Sequence, residues 1–295
     1  MSKLFMEVRS GLGNQLFQFA FGYALAHEFK KELVLCPSYF DSSWKYFLKK
    51  ILGREARAFK LLNILKRESD FVIDHAMEQR LSRRDIIVLK ENEVDIQQIR
   101  SALSSNEDVY LRGYWQHPEF FSMFKEQLGQ LIEPTFPLSR LCQKTLTRID
   151  ENFVGIHVRR GDFLTNRSFG ACRIEYYNQA IRKMTSILGN PKIIVFTNDS
   201  AWVNKQFNAD VGYEIYVNNS NRNTDVEELY LMTKLNSLII SNSTFSWWGA
   251  YLNTTREKRI ICPTNWFLKK DLQQNAHNFV SKDWIAIDNE LELGN

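Results

Sequence analysis

The chain has 295 residues, 44% of them hydrophobic and 24% charged, a globular balance that excludes a disordered chain or a coiled coil. Its 38 lysines and arginines exceed its 34 aspartates and glutamates by only +4, too little and too evenly spread for nucleic acid to be the main partner. At this length two domains of ordinary size are expected. Four cysteines, Cys36, Cys142, Cys172 and Cys262, form no C-x-x-C pair, so they are expected to be buried free thiols rather than a disulfide framework or a zinc knuckle. No apolar run nears the ~20 residues that cross a bilayer. Residues 1–9 also lack the pattern of a signal peptide, so the chain reads as soluble and cytoplasmic.

Short apolar runs alternate with helical patterns along most of the chain, the mark of an α/β protein with mainly parallel strands. Residues 4–8 read as the first strand. After the turn Ser10-Gly11-Leu12-Gly13, residues 14–29 place Leu16, Ala20, Tyr23 and Ala24 on one helical stripe with Phe17 and Phe21 beside it. Residues 33–35, 86–89 and 109–111 are further strands, and the stretch around 42–82 is helix-rich. Residues 133–139, with Pro134 and Pro137 and no periodicity, are the most linker-like segment, so the boundary is placed near residue 140, giving domains 1–140 and 141–295. In the second half, residues 153–158 form a strand, 174–188 a helix closed by Gly189-Asn190-Pro191, and 193–196 the next strand. Thr224-Asp225-Val226-Glu227 matches a capping box that opens a helix to about 235, followed by strands at 237–241, 260–262 and 284–287.

In open parallel sheets, ligands sit beyond the carboxyl ends of the strands. The polar clusters of this chain fall there: Ser10 to Gln15 after the first strand, His157-Val158-Arg159-Arg160-Gly161-Asp162, Thr197-Asn198-Asp199, and Asn242-Ser243-Thr244-Phe245-Ser246-Trp247-Trp248-Gly249. Four loops are thus expected to converge on one cleft. Arg159 and Arg160 offer guanidinium forks suited to phosphate oxygens, the alternative being an ion pair with Asp162 or Glu175. Asn242, Ser243 and Thr244 open a helix whose free N–H groups favour an anion, or serve only as its cap. Asp199 could accept the paired N–H donors of a guanine edge or cap the helix that follows. Gly11 and Gly13 allow a backbone to approach a ligand closely, but the dinucleotide fingerprint needs a third glycine where Leu16 stands, which weighs against a nicotinamide enzyme.

The chain contains no phosphate loop of the G-x-x-x-x-G-K-[ST] type and no H-E-x-x-H, G-x-S-x-G or D-x-D sequence, so kinase, zinc protease and serine hydrolase readings drop out. A nucleotide-sugar enzyme without an acidic metal site would have to stabilise its leaving diphosphate with arginines and oriented N–H groups. One Arg–phosphate contact at ~4 Å is worth roughly 4 kcal/mol before desolvation.

Together, Gly11-Leu12-Gly13-Asn14-Gln15-Leu16-Phe17-Gln18, His157-Val158-Arg159-Arg160-Gly161-Asp162, Phe196-Thr197-Asn198-Asp199 and the run from Asn242 to Asn253 resemble the bacterial α-1,2-fucosyltransferases of glycosyltransferase family 11. The resemblance implies a GT-B architecture, two Rossmann-like domains facing each other across a cleft, with the N-terminal one on the acceptor side and the C-terminal one on the donor side. It further implies GDP-β-L-fucose as donor, a β-galactoside glycan as acceptor, and inverting transfer with no metal and no other cofactor. By the same resemblance Arg159 is the pyrophosphate arginine with Arg160 its neighbour, His157 and Asp199 lie on the guanine side, and Asn14, Ser243 and Thr244 lie along the β-phosphate, in the loops that include Gly11, Gly13, Asn242 and Phe245. Gly113-Tyr114-Trp115-Gln116-His117-Pro118-Glu119-Phe120-Phe121 stands where the family commonly has Gly-Tyr-Phe-Gln-Ser-Glu-Lys-Tyr-Phe. The acceptor side, with Tyr114, Trp115, Gln116 and His117, is therefore altered; Ser10 for glycine, Phe19 for tyrosine and Tyr251 for tryptophan are milder changes. His117, Glu119 and Asp162 are open candidates for a general base.

Competing expectations are a fucosyltransferase of another linkage or GDP-sugar, and a catalytically silent GDP-sugar or glycan-binding module. The basic stretch 45–67, with Lys45, Lys49, Lys50, Arg54, Arg57, Lys60, Lys66 and Arg67 among apolar residues, reads either as a surface resting on an anionic membrane or as a solvated helical face. Oligomeric state is not legible.

Overall fold

The computed structural model describes residues 1–40, 58–66, 71–81, 85–208, 212–217, 223–255, 257–274 and 276–294. Two compact units are present, Met1–Thr135 and Phe136–Asn295. Of the basic stretch 45–67, only 58–66 falls among the described residues. No described helix is long and apolar enough to cross a membrane.

The first unit is built on five parallel strands: β1 (Lys3–Glu7), β2 (Glu32–Cys36), β3 (Val72–Ile73), β4 (Ile86–Lys90) and β5 (Asp108–Arg112), ordered β3-β2-β1-β5-β4. Leu4, Phe5 and Met6 of β1 are all buried, as a central strand covered on both faces requires. The helix Leu12–Glu28 was expected to bury one stripe. Instead its residues from Leu12 to Ala26 are buried all round, Asn14 excepted. One side meets the sheet and another is covered by aromatics from later turns, Phe21 stacking on Trp115 at 5.0 Å and Phe17 meeting Phe121 edge-on at 5.9 Å.

The second unit carries six parallel strands: β6 (Phe153–Val158), β8 (Lys192–Thr197), β9 (Tyr213–Ile215), β10 (Ser237–Ile239), β11 (Arg259–Pro263) and β12 (Ile285–Ile287), ordered β12-β11-β10-β6-β8-β9. A separate antiparallel pair joins β7 (Ala171–Cys172) to β13 (Leu291–Glu292). The helix Ile174–Leu188 matches its expected bounds, and Tyr177, Ala180, Ile181 and Met184 pack on Val154, Ile156 and Val158. Gly155 in the middle of β6 lets Leu235 and Leu238 close on the strand, since a Cβ there would sit 2.7 Å from each.

The expected capping box does not form. The helix Thr224–Lys234 has Asn223 at its N-cap with no side-chain cap. Glu227, fully buried, instead accepts from Ser139 N and Oγ at 2.6 and 2.8 Å and from Tyr216 OH at 3.4 Å. A stronger set of donors from a distant segment has taken the carboxylate that would have reached back to the cap. All four cysteines are buried free thiols.

In each unit the order of strands reverses direction beside the first strand: β1 has β2 on one side and β5 on the other, β6 has β8 on one side and β10 on the other. The loops at the carboxyl ends of those strands therefore diverge and leave a crevice, the place where α/β sheets hold ligands.

Candidate active site

At the crevice of the second unit, β6 ends in His157, Val158, Arg159 and Arg160. His157 is buried, its Nδ1 lies 2.9 Å from Ser241 Oγ, and its ring stands 5.4 Å from Phe245. Burial, with the Arg159 charge beside it, pulls its pKa down to about 3, so the imidazole is neutral and serves as a hydrogen-bonding group rather than a cation. Arg159 keeps 15% of its side chain exposed and donates from Nη2 to Asp162 Oδ1 at 2.7 Å, the ion pair that was one of its two expected readings. Asp162 is exposed, so a ligand could exchange for it.

Arg160 is placed differently. Its Nε faces Asp199 Oδ2 at 3.3 Å, its Nη1 donates to Glu292 Oε1 at 2.6 Å, and its guanidinium lies 4.2 Å over the Trp202 ring. Only 10% of the side chain is exposed. Arg160 is thus held by groups of its own unit and tied to β13. Asp199 follows the second of its two readings, capping the helix Ser200–Gln206 through Trp202 N while holding Arg160. The turn between them depends on Gly161, at φ +36°, where a Cβ would lie 2.4 Å from Asn198 Nδ2. That amide cannot easily yield, because its Oδ1 accepts from Arg160 N at 3.0 Å.

Beyond β10, Asn242 is buried and its amide is consumed inside the unit. It donates to Gly170 O and Trp266 O, both at 3.0 Å, and accepts from Cys172 Sγ. Asn242 thus ties the loop after β10 to Gly170 and Trp266. Ser243 caps the helix Thr244–Tyr251, accepting from Phe245 N at 3.3 Å. The first turn of that helix, containing Thr244 and Phe245, aims backbone N–H groups and the positive end of its dipole past the sheet edge.

Glu228 was missed by sequence reading. It lies half-buried on the helix Thr224–Lys234, within electrostatic reach of Arg159. Burial first, then the Asp225 charge, push its carboxyl up to about 8 against the pull of Arg159. Only the fold could reveal it, since the residue next to it carries the more visible pattern. Two opposite pH dependences of stability follow. Between about pH 3 and 6.5 the unfolded chain binds a proton that buried His157 refuses, so stability drops as pH falls through that window. Between pH 4.5 and about 8 the folded chain keeps a proton on Glu228 that the unfolded chain releases, so stability drops as pH rises. Above pH 6.5 the first is spent; the second acts there together with the raised His117 imidazole, whose contribution also falls as pH rises. Urea unfolding between pH 6.5 and 8 is expected to show this decline in the native chain and a smaller one in Glu228→Gln; equal slopes would refute the assignment.

The first unit contributes a second polar cluster. Ser10, at φ +71°, occupies a left-handed turn after β1 where a glycine is easier. Gly11 precedes the helix Leu12–Glu28 as its N-cap, and Gly13 is buried in its first turn. Asn14 Nδ2 donates to Ser10 Oγ at 3.1 Å, and Gln116 Nε2 donates to Asn14 Oδ1 at 2.8 Å. Gln18 joins the same loops, accepting from Arg9 N and donating to Gly113 O. Of the expected acceptor residues, Trp115 is buried at φ +52°, stacked on Phe21, and so cannot be a sugar platform. Tyr114 is exposed. Glu91 accepts from both Tyr114 N and Trp115 N, at 2.7 and 2.8 Å, which fixes this turn. His117 Nδ1 lies 3.3 Å from Glu119 Oε1, and the hydrogen bond to that carboxylate raises the pKa of the imidazole. Among the described residues, no group of three or more His, Cys, Asp or Glu side chains could hold a metal ion.

The sequence profile described as "Glycosyl transferase family 11" matches residues 3–288. The chain belongs to that family. Among relatives of this transferase, the O-antigen biosynthesis glycosyltransferase WbnK of Escherichia coli is 31% identical over 94% of this chain and 98% of its own. An alpha-1,2-colitosyltransferase of the same species is 27% identical over 98% of this chain and all of its own. The galactoside alpha-(1,2)-fucosyltransferase 2 of Bos taurus is 31% identical over 47% of this chain and 42% of its own. The fucosyltransferase NodZ from Bradyrhizobium superposes with a TM-score of 0.51 at 13% identity, over 84% of this chain and 93% of that one, a likeness of fold. The architecture is accordingly of the GT-B type, two α/β units on parallel sheets.

Proposed function

We propose that this family 11 transferase moves L-fucose from GDP-β-L-fucose to the 2-hydroxyl of a β-galactoside in a cell-surface glycan, with inversion and without a metal ion. The observation that carries this reading is the position of Arg159. Its partly exposed guanidinium stands at the carboxyl end of β6, and the helix starting at Thr244 follows β10, hydrogen-bonded beside it. A permanent cation and a helix N-terminus at one sheet end suit the negative charge that builds on a departing diphosphate. The colitosyl and galactoside relatives are both α-1,2 transferases, whereas the neighbour of similar fold, NodZ, is an alpha-1,6-fucosyltransferase. A NodZ structure is described as soaked with GDP-fucose.

In this reading Arg159 and the amides near Ser243 draw electron density toward the diphosphate as the fucosyl carbon becomes oxocarbenium-like. Arg160, Asp199 and Glu292 hold the loop that presents Arg159. The acceptor hydroxyl attacks the opposite face and loses its proton to a base or to water. A colitosyl donor is the second reading, favoured by the colitosyltransferase relative. Incubation with GDP-fucose and galactose-ended oligosaccharides in the presence of a chelator is expected to yield an α-1,2-fucosylated product, identified by NMR linkage analysis. No transfer and no donor hydrolysis, with GDP still raising the Tm, would leave a silent binding module.

A further inference from the structure

Beside the loop that presents Arg159 lies a small apolar surface that the proposed chemistry leaves unused. It is built from two segments joined by hydrogen bonds. Leu268 N and Lys269 N donate to Ser168 O at 2.9 and 3.3 Å, which lays the loop after β11 against the turn before β7. Gly170, at φ +67°, closes that turn, and a Cβ there would stand 2.7 Å from Leu268 Cδ1, so the missing side chain leaves room for the leucine to lie across it. Leu268 and Leu272 remain 37% and 38% exposed. Half-buried Phe169 and Phe267 back them, their ring centroids 5.8 Å apart.

These side chains are held out by the fold. Gln273 Oε1 accepts from Trp266 N and Phe267 N at 2.9 and 3.0 Å, and its Nε2 donates to Thr264 O at 3.1 Å, so one amide pins the loop. A lone exposed leucine is ordinary; two on a pinned loop, backed by two phenylalanines, form a patch. The charges at its rim say what covers it. Arg167 on the turn and Lys270 on the loop are exposed and pair with no carboxylate among the described residues, while Lys269 and Asp271 neutralise each other at 2.8 Å. Two uncompensated cations thus flank the apolar side chains. The patch offers far less than the ~800 Å² per partner that a stable protein pair buries, which argues against a second copy of this chain. Phenylalanine and leucine set between arginine and lysine suit the headgroup region of an anionic bilayer.

We propose that this surface seats the second unit on an anionic lipid bilayer, with Leu268 and Leu272 entering the boundary of the acyl chains and Arg167 and Lys270 meeting lipid phosphates. Placement gives the contact a use. Phe169 stacks on Phe163 at 5.2 Å, and the Arg159 guanidinium stands 5.8 Å from the Phe163 ring, so patch and reactive arginine share the segment between β6 and β7. A transferase docked here works on an acceptor carried by the membrane. That last step rests on the reading above, whereas lipid binding itself does not.

The test is co-sedimentation of the full chain with vesicles of phosphatidylcholine alone and of phosphatidylcholine mixed with phosphatidylglycerol. The chain is expected to sediment with the mixed vesicles only, and less as salt rises. Leu268→Ser combined with Leu272→Ser should abolish binding while leaving transfer to a soluble galactoside unchanged. Arg167→Gln combined with Lys270→Gln should weaken binding roughly 25-fold, about fivefold for each charge near the surface. Should the leucine variant fail to fold, the cation pair decides. No binding, equal binding to both vesicle types, or binding untouched by either pair of substitutions would overturn the patch. So would a dimer in solution that the leucine substitutions dissolve. Vesicle binding that needs these residues in a protein without transfer activity would sustain the patch and defeat the transferase reading; transfer to a soluble acceptor without vesicle binding would do the reverse.

Discussion

Arg159→Ala is expected to lower the transfer rate by about 10²–10³ while leaving the fold and the Tm almost unchanged, the loss typical of removing an oriented group that stabilises developing charge. The reasoning starts from placement. Its ion-pair partner, Asp162, is a surface residue three positions along, so that pair contributes little to native stability. What it does offer is a fixed positive charge at the end of the central strand of the second unit. Arg159→Lys should recover only part of the rate, because a point charge lacks the planar fork that matches two phosphate oxygens. Turnover close to normal in a folded Arg159→Ala, verified by circular dichroism, would remove the residue from the mechanism.

Its neighbour should behave in the opposite way. Arg160→Ala leaves Asp199 without its cation and Glu292 without its hydrogen-bond donor, and strips the Trp202 face of its cover. Breaking a fully buried pair costs about 3–5 kcal/mol. Because the two carboxylates are roughly a third exposed, at 29% and 30%, the expectation is discounted to about 2–3 kcal/mol. For a unit of this size that lowers Tm by about 5–10 °C. Activity should fall as well, through a displaced Arg159. The two arginines are adjacent in sequence, and calorimetry beside a rate assay separates them: one loses rate without stability, the other loses both. An Arg160→Ala protein as stable as the native chain would show that the contacts to β13 carry no weight.

Much of the fold and part of the site are legible in the order of residues alone, and what is not legible has a common cause. Strands such as Phe153–Val158 are legible because a parallel strand covered on both faces is a continuous apolar run. The helix Ile174–Leu188 is legible because its stripe is regular and a glycine and a proline close it. The loops that follow β6 and β10 are marked by runs of polar residues directly after apolar strands. What stays hidden depends on contacts between distant positions. Glu227 forms the pattern of a cap and is drawn instead to Ser139, 88 positions away. Arg160 and Asp199 stand 39 positions apart in the sequence, and only the fold shows their contact and the bond of Arg160 to Glu292. The burial of Trp115 against Phe21 is likewise visible only in the fold. Glu7 and Arg112 look like strand ends, and only the register of β1 against β5 shows that they form an ion pair.

The bond between Arg160 and Glu292 spans 132 positions. At a synthesis rate of about 5–20 residues per second, roughly 7–26 s separate the emergence of the arginine from that of its carboxylate. Throughout that interval Arg160 lacks one of its two carboxylate partners. Settling of this loop therefore waits on residues far downstream in the chain, and it is complete only after β13 has been made and has paired with β7.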